Sequence, residues 1–252
     1  MFKQFSLPLI LLVVSLVSIK PAQADFAGIY IGAGVWNHEA EGNMNYVGTN
    51  ADLETDLKFK DETNAFSYIK IEHPVPLIPN LLVSRYALGH NGSGTVSATT
   101  GFTFGGTTYT TGDNITTELK LDSTDVVLYY EFWDTIFGFD LGLGTKTISG
   151  KAEVVSGGVR NTRLIESTEP IVYMQLSLSV PGTGFSLSAD GKHNILQDST
   201  ICDYSYKLTY ETDYFLGVEA GLRGVKMKLK NLDSIDGDLD FTGPFVNLLL
   251  HF

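Results

Sequence analysis

The last eleven residues of the chain are Thr242-Gly243-Pro244-Phe245-Val246-Asn247-Leu248-Leu249-Leu250-His251-Phe252. Every second residue counted back from the end is apolar, and these residues are Phe252, Leu250, Leu248 and Val246. The residues between them are a mixture of polar and apolar types. Because successive side chains of a β-strand point to opposite faces, this period of two predicts a strand with one wholly apolar face.

The N-terminus has the pattern of a secretory signal peptide. Lys3 precedes a run from Leu7 to Val17 that is apolar except for Ser15, and a small-residue cleavage site, 22–24, follows. A membrane-spanning helix needs roughly 18 or more apolar residues, and this run is shorter. We therefore expect residues 1–24 to be removed, so that the mature chain, 25–252, begins at Asp25.

The composition favours an exported sheet protein and disfavours nucleic acid as a partner. Only 18% of residues are charged, against about 25% in an ordinary soluble domain. The chain has 17 Lys and Arg against 29 Asp and Glu, whereas phosphate binding requires clustered cations. The abundant glycine and aromatic residues are typical of a β-sheet with an apolar outer face.

Further segments alternate with the same period of two. A tilted strand needs roughly 9–11 residues to cross a hydrocarbon layer, and segments such as 27–36 and 172–180 have this length. A polar loop is predicted at 37–56, and a change of phase at Gly224 predicts a β-bulge. The ten predicted strands lie within 27–36, 57–73, from 81 onward, up to 132, 137–155, 172–180, 185–190, 204–210, 216–223 and 242–252.

An open sheet in lipid would leave unpaired amide groups at its edges, so these strands must close on themselves. The short turns predicted near 74–80, 133–136, 181–184 and 211–214 lie at one end, with both termini. We therefore predict an all-β fold, an antiparallel transmembrane up-and-down β-barrel of about ten strands, with both termini in the periplasm.

The mature chain resembles a family of small bacterial outer-membrane β-barrel proteins with Gly-Gly motifs and a C-terminal Phe. The residues that carry the resemblance are the signal peptide, Gly105-Gly106, Gly157-Gly158, 181–184, 221–223 and 243–252. The resemblance implies residence in the outer membrane beside lipid and lipopolysaccharide. It also implies that Val246, Leu248, Leu250 and Phe252 form the signal read by the barrel-insertion machinery. It implies no reaction.

The charged residues assigned to the inner face predict what fills the lumen. A narrow barrel that holds both signs of charge favours a salt-bridged plug, because buried charges require partners. This interpretation gives the protein a structural or surface role. The alternative is a narrow conduit for ions or small solutes. The predicted lumen residues are Lys70, Glu72, Arg85, Glu131, Asp140, Lys207, Glu219 and Arg223. Arg85 is included because Leu82, Ser84, Tyr86 and Leu88 are assigned to the outer face.

Two other classes of function remain as weaker alternatives. An outer-membrane enzyme would need a catalytic constellation, and His38, His90 and His193 lie near the predicted outer rim without a G-x-S-x-G sequence. The acidic tip 233–240 does not match the spacing of a calcium loop. We therefore predict no catalytic residue, metal or cofactor. A soluble periplasmic β-protein would instead bury the apolar strand faces in a sandwich.

Overall fold

The computed structural model describes residues 28–75, 77–97, 101–195 and 199–252. The predicted signal peptide, 1–24, lies outside the described residues. In the part of the chain that is described, no helix is long and apolar enough to span a membrane. The strands are β1 Gly28–Tyr46, β2 Ala51–Asp52, β3 Glu62–Glu72, β4 Asn80–Thr95, β5 Phe102–Phe104, β6 Thr107–Tyr109, β7 Asn114–Asp134, β8 Phe137–Ser156, β9 Val159–Val180, β10 Phe185–Asn194, β11 Thr200–Glu211, β12 Leu216–Leu232 and β13 Ile235–His251.

Ten of these strands form one closed antiparallel barrel. Their order around the barrel is β1, β3, β4, β7, β8, β9, β10, β11, β12 and β13, so each long strand pairs with the next one in the chain. β1 and β13 close the ring, from Tyr30 opposite His251 to Tyr46 opposite Ile235. Closure leaves the barrel without an unpaired edge. The predicted all-β barrel of about ten strands is confirmed.

The two ends of the barrel differ in their connections. Short turns join β3 to β4, β7 to β8, β9 to β10 and β11 to β12, at the four predicted positions. Because the strands are antiparallel, these turns share one end with the start of β1 and the end of β13. We call it the turn end, and the opposite end is the loop end. Gly157 and Gly158 form a tight connection there, and both have positive φ, which glycine adopts without strain.

The strands on one side of the barrel are far longer than a membrane crossing requires. β7, β8 and β9 have 21, 20 and 22 residues, and 22 residues extend for about 70 Å. β1 is also longer than predicted, so the predicted loop beginning at Asn37 is wrong. Beyond Asn37 the strand still alternates, with Ala40 and Met44 buried and Glu39 and Glu41 exposed. Glu39 and Glu41 therefore lie on the outer face of a strand and not in a loop.

β12 shows how the apolar face changes sides along one strand. Its outward residues are Leu216, Val218, Ala220 and Leu222 near the turn end, and Lys226, Lys228 and Lys230 near the loop end. Its inward residues change in the opposite sense, from Glu219 and Arg223 to the buried Val225, Met227 and Leu229. The pairing with β11 and β13 runs through Gly224 without a shift. The predicted bulge at Gly224 is therefore wrong, because the phase change is an exchange of polar and apolar faces. The register shift in β12 lies between Leu229 and Leu232.

The same exchange explains why β4 was assigned the wrong orientation. Its apolar residues point into the barrel, where Leu82, Tyr86 and Leu88 are at most 7% exposed. The prediction that Arg85 faces the lumen is therefore wrong. Its side chain is 67% exposed and lies 3.9 Å from Asp122 on β7. Apolar side chains also fill the interior of the barrel. Tyr86 and Leu88 belong to the large cluster near the loop end, and Leu82 packs inside the barrel in a smaller cluster with Val127 and Tyr129.

The apolar outer face near the turn end forms a continuous ring, which we call the belt. On β9 it runs from Val172 to Val180, nine residues, in agreement with the 9–11 that a tilted strand needs to cross a membrane. Large apolar side chains that would be buried in a soluble protein are exposed here. Members of the belt include Ile29, Ile31, Val35, Ile69, Ile71, Val126, Leu128, Leu141, Leu143, Met174, Leu176, Leu187, Leu208, Leu216, Val218, Leu222, Val246, Leu248 and Leu250.

The interior near the loop end is a hydrophobic core. Buried residues of β1, β4, β7, β8, β12 and β13 form one packed cluster, with Trp36, Leu119 and Phe241 fully buried. The hairpin of β5 and β6 adds Phe102, Phe104 and Tyr109 to this cluster. Its turn is attached to the end of β1 by a hydrogen bond from the Gly105 backbone N–H to the Tyr46 carbonyl, 2.7 Å. The hairpin therefore packs on the interior side chains at this end.

Candidate functional site in the barrel lumen

The lumen near the turn end contains a buried lysine held by acids and aromatic rings. Lys70 on β3 points inward because it alternates with the belt residues Ile69 and Ile71. Its Nζ atom lies 2.5 Å from Glu72 and 3.4 Å from Asp140. The same atom is 5.7 Å from the ring centroid of Tyr30 and 5.1 Å from that of Tyr129. Carboxylates and the faces of aromatic rings together stabilise a buried ammonium group.

A second ammonium group lies across the lumen in similar surroundings. The Nζ atom of Lys207 is 2.8 Å from Glu219 and 5.2 Å from the ring centroid of Tyr68. Glu219 also accepts hydrogen bonds from the Tyr68 hydroxyl, 2.9 Å, and from Asn247 Nδ2, 3.2 Å. A side chain at Gly32 would collide with the Tyr68 ring, 2.2 Å from its Cε1 atom. Glycine on β1 thus provides the space for this cluster.

Glu131 belongs to the same region but has a different partner. It shares a side-chain hydrogen bond with Glu72, and it is opposite Asp140 in the pairing of β7 with β8. Asp140 also accepts a hydrogen bond from Gln175 Nε2, 3.2 Å. The structure therefore brings together Lys70, Glu72, Glu131 and Asp140 on one wall, and Lys207 with Glu219 on another.

A layer of buried ion pairs separates this region from the hydrophobic core, and sequence reasoning missed most of it. The layer consists of Asp125, Lys146, Lys192, Asp203 and Arg223. Asp125 lies 2.7 Å from Lys146 and 2.6 Å from Lys192. Asp203 lies 2.7 Å from Arg223 and 3.3 Å from Lys146. We call it the ion-pair layer.

Arg223 alone in this layer was assigned to the lumen from the sequence. Its guanidinium carbon lies 4.4 Å from the ring centroid of Phe66 and 4.3 Å from that of Tyr86. The signal for the others was present, since Lys146 continues the inward series of Gly142 and Gly144 on β8. The inward series predicted for this strand ends at Gly144, one inward position before Lys146.

Between the ion-pair layer and the turn end lies a cavity of about 580 Å³, which we call the turn-end cavity. Arg223, Lys192 and Phe245 line its inner limit. Residues of two turns, including Thr135 and Gly182, line it at the turn end. The polar lumen is therefore a space that reaches the turn end and is bounded inside the barrel by buried side chains.

Two of the rim histidines meet inside the loop-end core. Asn64 donates hydrogen bonds through Nδ2 to the Gly89 carbonyl, 3.2 Å, and to His38 Nε2, 3.4 Å. His38 Nδ1 therefore carries its proton and donates it to His90 Nε2, 2.9 Å. His90 Nδ1 donates in turn to the Lys60 carbonyl, 2.8 Å. Asn64, His38 and His90 form what we call the histidine chain, in which both rings are neutral.

Burial lowers the pKa values of the two histidines in the histidine chain, which lies outside the belt. His38 is 1% exposed and His90 is fully buried. Burial, with smaller contributions from His90 and Arg223, lowers the pKa of His38 to about 3. Burial also lowers the pKa of His90, against the opposing effects of the Lys60 carbonyl, Glu62 and Asp61. The geometry is that of a satisfied pair in a core. Among the described residues, the neighbours of the two rings are Asn64, the Lys60 carbonyl and aromatic side chains such as Phe241.

The outer wall carries a concavity of about 960 Å³ over β8 to β12. Its lining is mostly belt residues, among them Leu176, Leu187 and Leu222. It is therefore part of the apolar surface rather than of the lumen. Among the described residues, no group of three or more His, Cys, Asp or Glu side chains is arranged to hold a metal ion.

No protein-family model and no curated protein matches the sequence. Among solved structures, the crystal structure of Ail, the attachment invasion locus protein of Yersinia pestis, in complex with the heparin analogue sucrose octasulfate, is similar at a TM-score of 0.40 and 12% sequence identity. The alignment covers 90% of this chain and 100% of that chain. A similarity this low says nothing about function, and the barrel assignment rests on the strand pairing of the chain itself.

Proposed function

We propose that this protein is an integral bacterial outer-membrane β-barrel with a structural or surface role and a largely filled, charge-networked lumen. The observation that carries the proposal is the belt. It surrounds the barrel near the turn end only, and it has the height of a strand crossing a membrane. In water, so large an apolar surface would cause association. In lipid it requires no further partner.

The proposed orientation places the turn end and both termini in the periplasm. Short turns on the periplasmic side and longer connections outside are the usual arrangement of bacterial barrels. Residues 1–24 would direct export and be removed. Val246, Leu248 and Leu250 face outward on β13, and with Phe252 they would form the signal for the barrel-insertion machinery. The belt would contact outer-membrane lipid, and the residues beyond it would meet lipopolysaccharide.

A filled lumen accounts for the interior better than the alternative, a narrow channel. A channel requires a continuous polar path. Here the ion-pair layer is followed by a hydrophobic core in which Trp36, Leu119 and Phe241 are fully buried. The turn-end cavity gives the channel alternative its only support among the described residues. An enzyme remains the least favoured class, because the paired histidines belong to the core.

Conductance of the refolded chain in a planar bilayer tests this proposal. We expect insertion without discrete current steps, because the loop-end core blocks the lumen. Gel electrophoresis checks that the barrel has folded, because the unheated barrel migrates faster than the chain unfolded by heating. The matched variants are Glu219→Gln, inside the lumen, and Arg85→Gln, outside it. Current steps whose ion preference changes in Glu219→Gln but not in Arg85→Gln would establish the channel instead.

A further inference from the structure

The turn-end cavity has a property that a plug does not require, an excess of negative charge. Seven carboxylates line it, against four Lys and Arg residues. Two of those four cations, Lys192 and Arg223, already pair with Asp125 and Asp203 in the ion-pair layer. The remaining two, Lys70 and Lys207, pair with Glu72 and Glu219. Another lining carboxylate, Glu211, lies 2.9 Å from His251. The carboxylates on the cavity wall therefore outnumber its Lys and Arg residues.

The two lysines show which ligand chemistry these walls accept. Each is an alkylammonium group on a flexible chain of methylenes, and each is bound by a carboxylate together with an aromatic ring. The ring belongs to Tyr129 for Lys70, at 5.1 Å, and to Tyr68 for Lys207, at 5.2 Å. This combination is the one that proteins use to bind organic cations. The protein thus supplies two internal examples of the interaction.

A further cation in the cavity would be stabilised most strongly beside Glu131. It lines the cavity together with Glu72 and is opposite Asp140 in the pairing of β7 with β8. An ammonium group at this position would face three carboxyl groups, of which Lys70 already contacts two. Among the described residues, no Lys or Arg forms an ion pair with Glu131, whereas Lys70 forms ion pairs with both Glu72 and Asp140.

The opposite wall leaves the space that a ligand needs. The inward residues of β9 and β10 that line the cavity include Ser177, Ser179, Ser186 and Ser188. These small hydroxyl side chains face the bulky tyrosines and charged residues of β1, β3 and β7. A volume of about 580 Å³ lies within the range of roughly 300–1,000 Å³ for small-molecule sites. The serine hydroxyls would also accept hydrogen bonds from a bound N–H group.

We propose that the turn-end cavity is a binding site for a small organic cation with primary ammonium groups, of the linear alkyl polyamine class. One ammonium group of the ligand binds at Glu131, and the methylene chain lies between the tyrosines and the serines. A ligand with more than one positive charge matches the excess of carboxylates. This site goes beyond the proposed function, since it holds whether or not the barrel has a surface role.

Calorimetric titration of the chain, refolded in detergent micelles, with 1,5-diaminopentane tests the proposal. We expect saturable binding of the diamine and at least tenfold weaker binding of 1,5-pentanediol, which has the same length without charge. Glu131→Gln should weaken diamine binding at least fivefold. The matched control Asp122→Asn, which removes a carboxylate from the outer face, should leave binding unchanged.

A second variant keeps the test independent of the charge at Glu131. Ser186→Trp fills the cavity from the serine wall and should abolish diamine binding while the barrel keeps its gel shift. Equal binding by Glu131→Gln and Asp122→Asn would overturn the proposal, as would equal binding of diamine and diol or the absence of saturable binding. Because the titration is done in micelles, its failure would leave the conductance test of the proposed function unaffected.

Discussion

The turn-end and loop-end halves of the barrel are built from the same strands with the same alternation, yet they place apolar side chains on opposite faces. On β12, Leu222 points outward and Arg223 inward, whereas a few residues later Lys226 points outward and Met227 inward. The ion-pair layer lies at the change. The backbone does not dictate which face is apolar. On the proposed placement in a membrane, the outer medium does, because lipid selects apolar residues and water selects charged ones.

The ion-pair layer at this boundary and an ion pair on the outer wall of the loop-end half should respond differently to the loss of a carboxylate. Asp125 is fully buried between Lys146 and Lys192, and Asp125→Asn would leave three buried cations of the ion-pair layer with one carboxylate. We expect this variant to lower the free energy of unfolding by about 3–5 kcal/mol. Urea-induced unfolding in lipid vesicles measures the change.

Asp240→Asn is the matched control, since Asp240 pairs with Lys226 on the exposed outer face of the loop-end half. It should cost about 1 kcal/mol or less, because exposed ion pairs are screened by water. Equal losses in the two variants would show that the ion-pair layer is as well solvated as the surface.

A smaller effect on stability depends on pH and arises in the loop-end half, which contains the histidine chain. The folded pKa of His38 is lowered to about 3, from 6.5, so the unfolded chain takes up a proton at a higher pH than the folded one. Stability is therefore full above pH 6.5 and falls as the pH drops toward 3. At pH 5 we expect a loss of about 2 kcal/mol from this group.

Unfolding measured at pH 7.5 and pH 5 tests this effect. His38→Gln should weaken the dependence on pH, because the glutamine does not titrate while the buried His90 still does. His193→Gln is the control, since His193 is exposed on β10, and its pH profile should follow that of the parent chain. A dependence that His38→Gln leaves unchanged would mean that other groups control acid unfolding.

The belt was predictable from sequence because its outward residues follow a simple rule, an apolar side chain at every second position. The outward residues of β9 and β13 near the turn end follow this rule, and Lys70 and Glu219 alternate with such residues on β3 and β12. The rule fails where the outer medium becomes water. The rule therefore predicts the wrong face for Arg85, does not identify Lys146 and Asp125, and predicts an outer surface for Tyr86 and Leu88, which are buried.

Contacts between distant strands were beyond the sequence for a different reason. His38 and His90 lie 52 residues apart, and their approach depends on how β1 curves past β3 to β4. The cavity likewise depends on small residues of β9 and β10 facing large ones across the lumen. Period-two patterns fix the face of each residue but not the height at which two strands bring their residues together.

The most direct test of the central claim uses two leucines on the outer face of one strand. Leu176 lies in the belt and is 54% exposed, whereas Leu164 lies on the same face of β9 in the loop-end half and is 70% exposed. The free energy of folding into lipid vesicles should fall by about 2–4 kcal/mol for Leu176→Arg, because arginine near the middle of a membrane is costly. Leu164→Arg should change it by less than about 0.5 kcal/mol. Equal effects at the two positions would contradict the claim that the exchange of faces marks the edge of the membrane.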